Sequence, residues 1–432
     1  MRMFFRIAFR NLLKNKTRTV VLGSAIASIA FFLMVLMSLI QGIQDTMIKN
    51  GTAIMSGHIN IAGFYKRSQS SASPIVTDYQ KLYELAKTTV PEAQLIIDRM
   101  KGYGKVISET ESIQVPMWGV RMENEGTVLG TMETQSGNIQ DLAQTGAIAL
   151  FASQAKKLNV QIGDMVTLSL PTFRNINNTK DVKVVAVLKD LGLFSQFSLF
   201  LHSDDVREIY QLKENTTGQI MIFLPDIKKV PEVEERLRKA VVAAGFPLME
   251  KEANPFFMKF DRVAGESWTG QKIDVTTWED ETSFLKWVVQ LLTALTFFLI
   301  LILTIVVVIG LMNTIWMSIR ERTAEIGTLR AIGLQKRQVF IMILLESFIL
   351  SVIGTCVGGL LGFTFGIALN LMKIPLKSDA LQLFFMSNHL TFTVLWSQFF
   401  FVFFVLVITL VLGALIPTRM AAQLKPVTAM QS

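Results

Sequence analysis

Apolar residues along this chain are concentrated in four runs, and the stretches between the runs are polar and charged. Each run exceeds the ~18 residues that an α-helix needs to cross the hydrocarbon core of a bilayer. The runs therefore predict four transmembrane helices, at residues 20–42, 287–317, 339–372 and 394–416. The first run is longer than the ~7 to 15 apolar residues of a signal peptide, and no cleavage site follows it, so we expect an uncleaved helix.

The longest stretch between the runs, residues 43–286, alternates patterns typical of strands and helices. GHINIAG and SIQVPMWGV have strand patterns, and DYQKLYELAKTTV between them has the period of an amphipathic helix. We also expect ALFASQAKKLNV to form a helix, and Ser203 to cap the helix SDDVREIYQL. These patterns predict one α+β domain with two subdomains, inserted between the first and second transmembrane helices.

The second run is long for a single span. As a helix, residues 287–317 would measure ~46 Å at a rise of 1.5 Å per residue, against a hydrocarbon core of ~30 Å. Tilt absorbs some of this excess. We expect the rest to project from the membrane as a stalk.

Basic residues predict the orientation of the chain. Residues 1–19 contain six Lys and Arg residues and no Asp or Glu, so the positive-inside rule places the N-terminus in the cytoplasm. Residues 43–286 are then extracytoplasmic, the loop 318–338 is cytoplasmic, the short loop 373–393 is outside and the tail 417–432 is cytoplasmic. The net charge of +8 does not indicate nucleic-acid binding, because residues 43–286 hold 27 basic and 30 acidic residues and the excess lies beside the spans.

The residues before the first run have the pattern of an amphipathic helix lying in the cytoplasmic membrane interface. Apolar residues recur at helical spacing, and basic residues are spaced by four on the other side. The apolar positions are Phe5, Ala8, Phe9 and Leu12, and the basic positions are Arg2, Arg6, Arg10 and Lys14. The alternative is a positively charged flank with no fixed structure, but the periodicity favours the helix.

Small residues recur every four positions in the third run, at Gly354, Gly358, Gly362 and Gly366. Such a ridge lets the backbone of a neighbouring helix approach closely, either for packing or as a surface on which helices slide. Glu346 is the one acidic residue placed clearly within a span. A proton pathway normally needs several ionisable groups, so we expect Glu346 to pair with a basic residue or a helix end, which disfavours ion-coupled transport.

Motifs for catalysis and metal binding are missing from these 432 residues. There is no GxxxxGK[ST] pattern of a P-loop ATPase, no nucleophile elbow and no zinc-protease motif. The single Cys356 excludes an intrachain disulfide, and His58, His202 and His389 are far apart in sequence. We therefore expect no catalytic residue, no metal site and no cofactor on this chain.

The loop SIRERTAEIGTLRAIGLQKRQV, residues 318–339, carries too many charges to lie inside a bilayer. On a helical wheel, one side holds Glu321, Glu325 and Thr328, and another holds Ile319, Arg322, Ile326 and Leu329. Gly333 follows and is suited to end a helix. The pattern predicts a short amphipathic helix that turns its acidic side toward a cytoplasmic partner. The alternative is a charged loop that only stops translocation.

Four stretches resemble the FtsX-like ABC permease superfamily, which includes MacB-type exporters, the LolC and LolE subunits of lipoprotein-releasing complexes, and the division protein FtsX. They are RERTAEIGTLRAIGLQKRQV, LLESFILSVIGTCVGGLLG, ALIPTRMAAQLKPVTAM and ALFASQAKKLNVQIGDMVTL. The order of one span, a large domain and three further spans is also similar to this superfamily. The charged loop with the following Glu and glycines is the most specific part of the resemblance.

The resemblance implies that the charged loop is a coupling helix seated in a cleft of a separate cytoplasmic ATPase subunit, which would bind ATP and Mg²⁺. The residues implied at this contact are Arg320, Glu321, Arg322, Glu325, Ile326, Gly327, Leu329, Arg330 and Gly333. The resemblance further implies a dimer with a second permease copy or a homologue, surrounded by membrane lipids. ATP-driven closure of the ATPase would pass along the long second span to the periplasmic domain, by mechanotransmission.

Within the superfamily, the opening GHINIAGF after the first span and the size of the inserted domain look closest to LolC and LolE. This implies a multi-pass protein of the bacterial inner membrane, with both termini cytoplasmic, that extracts a lipoprotein or exports another amphipathic substrate. A periplasmic adaptor is a further implied partner. The alternatives are a MacB-like export permease and an FtsX-like regulatory permease that signals to a periplasmic hydrolase.

Overall fold

The computed structural model divides the chain into two compact units. The membrane unit comprises Met1–Asp45, Val288–Ile374 and Leu390–Ser432, and the insertion unit comprises Thr46–Trp287 and Pro375–His389. The residues that the structure describes are 2–14, 16–69, 72–130, 132–172, 176–196, 198–283, 286–321, 323–376, 378, 381–382, 385 and 387–423.

Thirteen helices are described in the fold. In chain order they are α1 (Arg2–Lys14), α2 (Lys16–Gly51), α3 (Tyr79–Thr89), α4 (Met122–Leu129), α5 (Ala152–Leu158), α6 (Ser203–Ile209), α7 (Val230–Ala243), α8 (Phe260–Gly265), α9 (Trp278–Glu281), α10 (Lys286–Glu321), α11 (Thr323–Ala331), α12 (Lys336–Met372) and α13 (Trp396–Ala422). Of these, α2, α10, α12 and α13 are long and apolar enough to cross a membrane, as the four apolar runs predict.

Among the described residues, the insertion unit contains twelve strands. They are β1 (Ile59–Lys66), β2 (Val76–Thr77), β3 (Leu95–Ile107), β4 (Ser112–Val120), β5 (Thr134–Gly137), β6 (Ala147–Phe151), β7 (Met165–Pro171), β8 (Asn177–Leu188), β9 (Phe200–His202), β10 (Thr216–Thr217), β11 (Gln219–Phe223) and β12 (Gly270–Thr277). With the helices α3 to α9, these strands give the α+β domain that the sequence pattern predicts between the first two spans.

Pairings among six strands of the insertion unit close on themselves. β3 pairs with β4, β4 with β9, β9 with β6, β6 with β8, β8 with β7, and β7 returns to β3. The closed ring surrounds a core that includes Met100, Val115, Ile148 and Leu168. Closure satisfies the backbone groups that an open sheet leaves unpaired at its edges.

The first half of β3 pairs instead with β11, which continues into β1 and β12. The helices α3 and α7 cover this second part of the sheet, over a separate core that includes Ile61, Leu82, Ile220 and Leu237. The 13-residue β3 thus joins these two hydrophobic cores along one path of paired strands.

Two local expectations in this unit were wrong. Residues 147–151 form the strand β6, so the helix expected over ALFASQAKKLNV covers only Ala152–Leu158. β6 is buried along its whole length between β8 and β9, and pairing with these strands decides its conformation. The N-cap of α6 is His202, whose Nδ1 accepts a hydrogen bond from the Asp204 backbone N–H, and Ser203 instead donates its Oγ proton to the Gly119 carbonyl.

The helix of the first span continues beyond the predicted end at residue 42. α2 runs to Gly51, and a π-helical turn, Thr52–Ser56, follows it. The apolar run ends because Gln41, Gln44 and Asp45 are polar, but none of these residues stops a helix. The Gln41 amide donates to the Asp45 carboxylate one turn later, at 2.9 Å.

Candidate functional site

The helix α11 is seated on the membrane helices by one apolar side chain. Ile326 is 4% exposed and packs in a core that also contains Ile319 of α10 and Val339 of α12. Gly327 beside it is also buried. This burial agrees with the apolar side that the helical wheel predicts for the segment.

A short turn connects α10 to α11. The Thr323 hydroxyl is placed to donate to the Ile319 carbonyl at 2.8 Å and the Arg320 carbonyl at 3.0 Å. These carbonyls belong to the last turn of α10, which has no further helical N–H to pair with them. The start of α11 is therefore bonded to the end of α10.

The other side of α11 is exposed. Together with exposed residues just before and after α11, it forms a surface that we call the coupling face: Arg320, Glu321, Ala324, Thr328, Ala331 and Ile332. Ile332 is 81% exposed, which is unusual for a large aliphatic side chain on a surface outside the membrane. Gly333 follows with a φ of +109°, a conformation that costs glycine little, and its N–H donates to the Arg330 carbonyl at 3.1 Å.

The residues predicted at the ATPase contact fall into three groups in the structure. Arg320, Glu321 and Gly333 are exposed, and Arg330 is partly buried. Ile326 and Gly327 face the chain's own membrane helices. Arg322 lies outside the described residues, as do the side chains of Glu325 and Leu329. The contact therefore remains a prediction for the residues of the first group.

Sequence reasoning placed Thr328 on the side that faces a partner but missed Ile332 and Ala331. Each belongs to the coupling face, and the signal for Ile332 was present in the sequence, since it stands between the last helical turn and a helix-ending glycine. Ile332 is thus an exposed apolar residue at the C-terminal end of α11. We therefore include Ile332 in the candidate site.

Glu346 lies in the interior of the membrane unit. It lines a cavity of about 110 Å³, together with the polar residues Asn11, Ser318 and Ser347 and apolar residues of α1, α2, α10, α11 and α12. Glu346 therefore lies where α1, α11 and the spans converge.

The glycine ridge of α12 packs against α2. A Cβ added to Gly358 would lie 1.9 Å from the Ala27 carbonyl oxygen, and one added to Gly362 would lie 2.8 Å from the Phe31 carbonyl oxygen. Gly354 and Gly366 also face α2, and all four glycines are buried. The two helix backbones are thus in direct contact along this ridge, as small residues permit.

The helix α1 is formed over Arg2–Lys14, and it packs on α12. Ala8 and Leu12 are buried in the core that holds Val339 and Ile343, while Phe5 and Phe9 are 50% and 44% exposed. The basic Arg6, Arg10 and Lys14 are exposed, and the side chain of Arg2 lies outside the described residues. The Thr19 hydroxyl of α2 donates to the Leu12 carbonyl at 2.8 Å, which fixes the corner between the two helices.

The π-helical turn after α2 is held by a buried ion pair of the insertion unit. Arg99 and Glu125 side chains are both fully buried, with Arg99 Nε donating to Glu125 Oε2 at 2.6 Å and Nη1 donating to the Ile54 carbonyl at 2.7 Å. The Gln219 amide donates to the neighbouring Met55 carbonyl at 2.9 Å. Burial raises the pKa of Glu125, and the charge of Arg99 opposes this rise.

A second group of charges surrounds the segment that leads into α10. The Lys259 ammonium donates to Asp274 at 2.7 Å inside the domain, and Glu281 accepts from the Thr276 hydroxyl at 2.7 Å. Burial raises the pKa of Glu281 and lowers the pKa of Lys101 to about 8. Lys101 Nζ lies 4.5 Å from the centroid of the Phe256 ring. No sequence motif distinguishes these charges from solvated ones, so the sequence did not identify them.

Within the described residues, no group of three or more His, Cys, Asp or Glu side chains is placed to hold a metal ion. Among the buried charges described above, Arg99 pairs with Glu125, and Lys259 pairs with Asp274. An arrangement of paired charges and packed helices can transmit a displacement or bind a partner.

The C-terminal membrane region matches a known family. Residues 297–426 match the family model described as FtsX-like permease C-terminal. The chain is 29% identical over 218 residues to the macrolide export ATP-binding/permease protein MacB of Bdellovibrio bacteriovorus, an alignment that covers 49% of this chain and 28% of that protein. It is 36% identical over 124 residues to the pyoverdine export ATP-binding/permease protein PvdT of Pseudomonas fluorescens, covering 29% of this chain and 16% of that protein.

One similar solved structure is the periplasmic region of MacB from Actinobacillus actinomycetemcomitans. It is 14% identical with a TM-score of 0.32, over 54% of this chain and 94% of that chain. The chain spans less than a third of the length of the two curated relatives named above.

Four helices that are long and apolar enough to cross a membrane, and an α+β domain inserted after the first of them, define the architecture of this membrane protein. The C-terminal region of the chain is similar to FtsX-like permeases, and about half of the chain is similar to a MacB relative.

Proposed function

We propose that this chain is the permease subunit of an ATP-driven ABC transporter, and that its coupling face docks on a separate cytoplasmic ATPase subunit. The exposed coupling face on a helix whose other side is buried among the spans carries this proposal. The ATPase would hold ATP and Mg²⁺. The chain itself would act by transmitting force, in a dimer with a second permease copy or a homologue.

The contacts of α11 support a mechanical role. Ile326 packs in one core with residues of α1, α10 and α12, and Thr323 bonds the start of α11 to the end of α10. A displacement of α11 would therefore move the ends of several helices together, because a close-packed core transmits strain. The proposed orientation places α11 and both termini in the cytoplasm and the insertion unit in the periplasm, as the basic residues predict.

Co-purification tests the docking surface. The affinity-tagged chain in mild detergent should carry an ABC ATPase, and Ile332→Asp should reduce the retained ATPase at least ~10-fold, since a buried charge at the centre of a contact removes a hot spot. Ile332 is so exposed that the substitution should leave the fold intact. The matched control is Leu381→Asp, which changes an exposed aliphatic residue, 46% exposed, in the loop between α12 and α13.

Equal retention of the ATPase by Ile332→Asp and by the Leu381→Asp control would contradict docking through the coupling face. Crosslinking in living cells gives a second test of the orientation. A cysteine at position 332 that reacts only with reagents outside the cytoplasmic membrane would contradict a cytoplasmic coupling helix.

For the substrate, we propose a lipidated or otherwise amphipathic molecule handled at the periplasmic side of the membrane. GHINIAGF and the size of the inserted domain support a lipoprotein, whereas the relatives named for macrolide and pyoverdine export support a small amphiphile. Transport assays in proteoliposomes that contain the chain and its ATPase would distinguish a lipoprotein substrate from a small amphiphile. ATP-dependent release of a triacylated lipoprotein supports the first, and ATP-dependent movement of a macrolide without lipoprotein release supports the second. A co-purified hydrolase with neither activity would indicate the regulatory alternative.

A further inference from the structure

An apolar groove runs along the membrane unit between α2 and α12, and α1 lies across one end of it. The groove has a volume of about 820 Å³. It is lined by Phe9 and Leu13 of α1, by residues of α2 from Thr19 to Phe32, and by residues of α12 from Leu350 to Leu361. The lining along α2 is ~20 Å long at 1.5 Å per residue, and one leaflet is ~15 Å deep, half of the ~30 Å core.

Small residues form the floor of the groove. Gly23 and Ala27 of α2 and Gly354 of α12 contribute no bulky side chain, and a Cβ on Gly354 would lie 2.9 Å from Ile26. The helices therefore touch at the floor and diverge toward the surface. The Ser24 hydroxyl, on the wall, is bonded to the carbonyl one turn earlier at 2.9 Å. The groove thus presents a surface suited to an alkyl chain.

Basic residues stand three or four positions before lining residues at the end of the groove beside α1. Arg6 stands three residues before Phe9, Arg10 three residues before Leu13, and Lys16 four residues before the lining residue Val20. Residues three or four positions apart are neighbours on a helix surface, so Arg6 and Arg10 lie at the border between the apolar and basic sides of α1. All three cations are exposed, and the first acidic residue of the chain is Asp45.

We propose that this groove binds an anionic phospholipid, with one acyl chain along α2 and the phosphate beside Arg6, Arg10 and Lys16. The apolar length fits a chain in one leaflet, and the cations stand where the headgroup of that chain would lie. A phospholipid brings both chemistries in one molecule. A helix from a second copy would fill the apolar part but would bring no phosphate to the three cations. Glu346 lines the separate cavity of about 110 Å³ and not this groove, so its carboxylate does not oppose an anion there.

Native mass spectrometry of the full chain in mild detergent tests the site, with phosphatidylglycerol titrated and phosphatidylcholine of the same acyl chains as the neutral comparison. We expect saturable binding of phosphatidylglycerol that is ~100-fold weaker in the triple variant Arg6→Gln, Arg10→Gln, Lys16→Gln. The matched control removes three exposed cations that do not border the groove: Lys336→Gln, Arg337→Gln, Arg419→Gln. Equal losses in the two triple variants would overturn the proposal, because they would show attraction to surface charge alone.

A groove-filling variant tests the acyl chain separately from the charge. Ser24→Leu with Ser28→Leu adds bulk to the exposed wall and should weaken phosphatidylglycerol binding ~10-fold without changing any charge. Unchanged binding in this variant would overturn the proposal. Ser24→Cys in a Cys356→Ser background tests whether a second copy of the chain occupies the groove instead of a lipid. An efficient disulfide dimer through position 24 would show that a second copy fills the groove, and this would also overturn it.

Discussion

Replacing Arg99 with Met should destabilise the insertion unit by removing one partner of a fully buried ion pair. Arg99 is bonded at 2.6 Å to Glu125 and at 2.7 Å to the Ile54 carbonyl. Breaking a buried pair from one side costs about 3–5 kcal/mol, because a charge remains inside without a partner. The orphaned carbonyl adds about 1–3 kcal/mol. Protonation of Glu125 limits the sum, so we expect a loss of about 3–5 kcal/mol near pH 8.

The pH dependence of this loss has a defined sign. The pKa of Glu125 is already raised by burial, and without Arg99 it should rise further. The folded state then holds a proton that the unfolded state has released, so stability falls as pH rises from the ordinary Glu pKa of about 4.3 to the raised value. The difference in the free energy of unfolding between the wild type and Arg99→Met should therefore grow over that window and then level off.

Urea unfolding of the full chain in detergent, followed by tryptophan fluorescence, measures this difference. The double variant Arg99→Met, Glu125→Leu should recover much of the loss, leaving about 1–3 kcal/mol for the Ile54 carbonyl. Arg262→Met is the control, because Arg262 is 43% exposed and its pair with Glu252 should contribute only about 0–1 kcal/mol. A double variant as unstable as Arg99→Met alone would refute the reasoning.

Two further predictions follow from the packing and the buried charges. Gly358→Ala should lower the melting temperature of the detergent-solubilised chain, at a cost of about 1–3 kcal/mol, because the new Cβ would lie 1.9 Å from the Ala27 carbonyl oxygen. Gly310→Ala, where no described atom lies within 4 Å, is its control, and equal shifts would contradict the close contact. The lowered pKa of Lys101, about 8, means that the folded state loses its proton before the unfolded state does, so wild-type stability should rise between about pH 8 and 10.5. The rise in the free energy of unfolding is at most about 3 kcal/mol, because Lys101 is partly exposed. Lys101→Met should abolish the rise. A pH profile of stability that is unchanged in this variant would show that the Lys101 side chain is solvated.

The local pattern of apolar and polar residues was sufficient for prediction where a single physical constraint, such as bilayer thickness, sets the structure. Bilayer thickness fixes the length of an apolar run, and this made the four spans predictable without any knowledge of their packing. The strand β4 is formed over the same nine residues as SIQVPMWGV, in which Ile113, Val115 and Met117 alternate as a strand requires. The period of apolar residues also gave the buried side of α11, where Ile326 lies.

Prediction failed where a distant partner decides the local conformation. β3 contains Asp98, Arg99, Gly102 and Gly104, and no alternation marks it as a strand, yet it is the longest strand described. Its conformation comes from pairing with β4, β7 and β11. Gly104 is needed there because a Cβ would lie 2.5 Å from the Ser169 carbonyl of β7.

The amino-acid sequence by itself determined the number of membrane helices, the place of the inserted α+β domain and the amphipathic character of α11, since each depends on solvent preference along one stretch of chain. Only the tertiary structure decided that six strands close into a ring and that Arg99 binds the turn after the first span. Charge and polarity in the sequence do not reveal burial, because a buried ion pair and a solvated one use the same residues. Their difference arises only from the partners that the fold brings together.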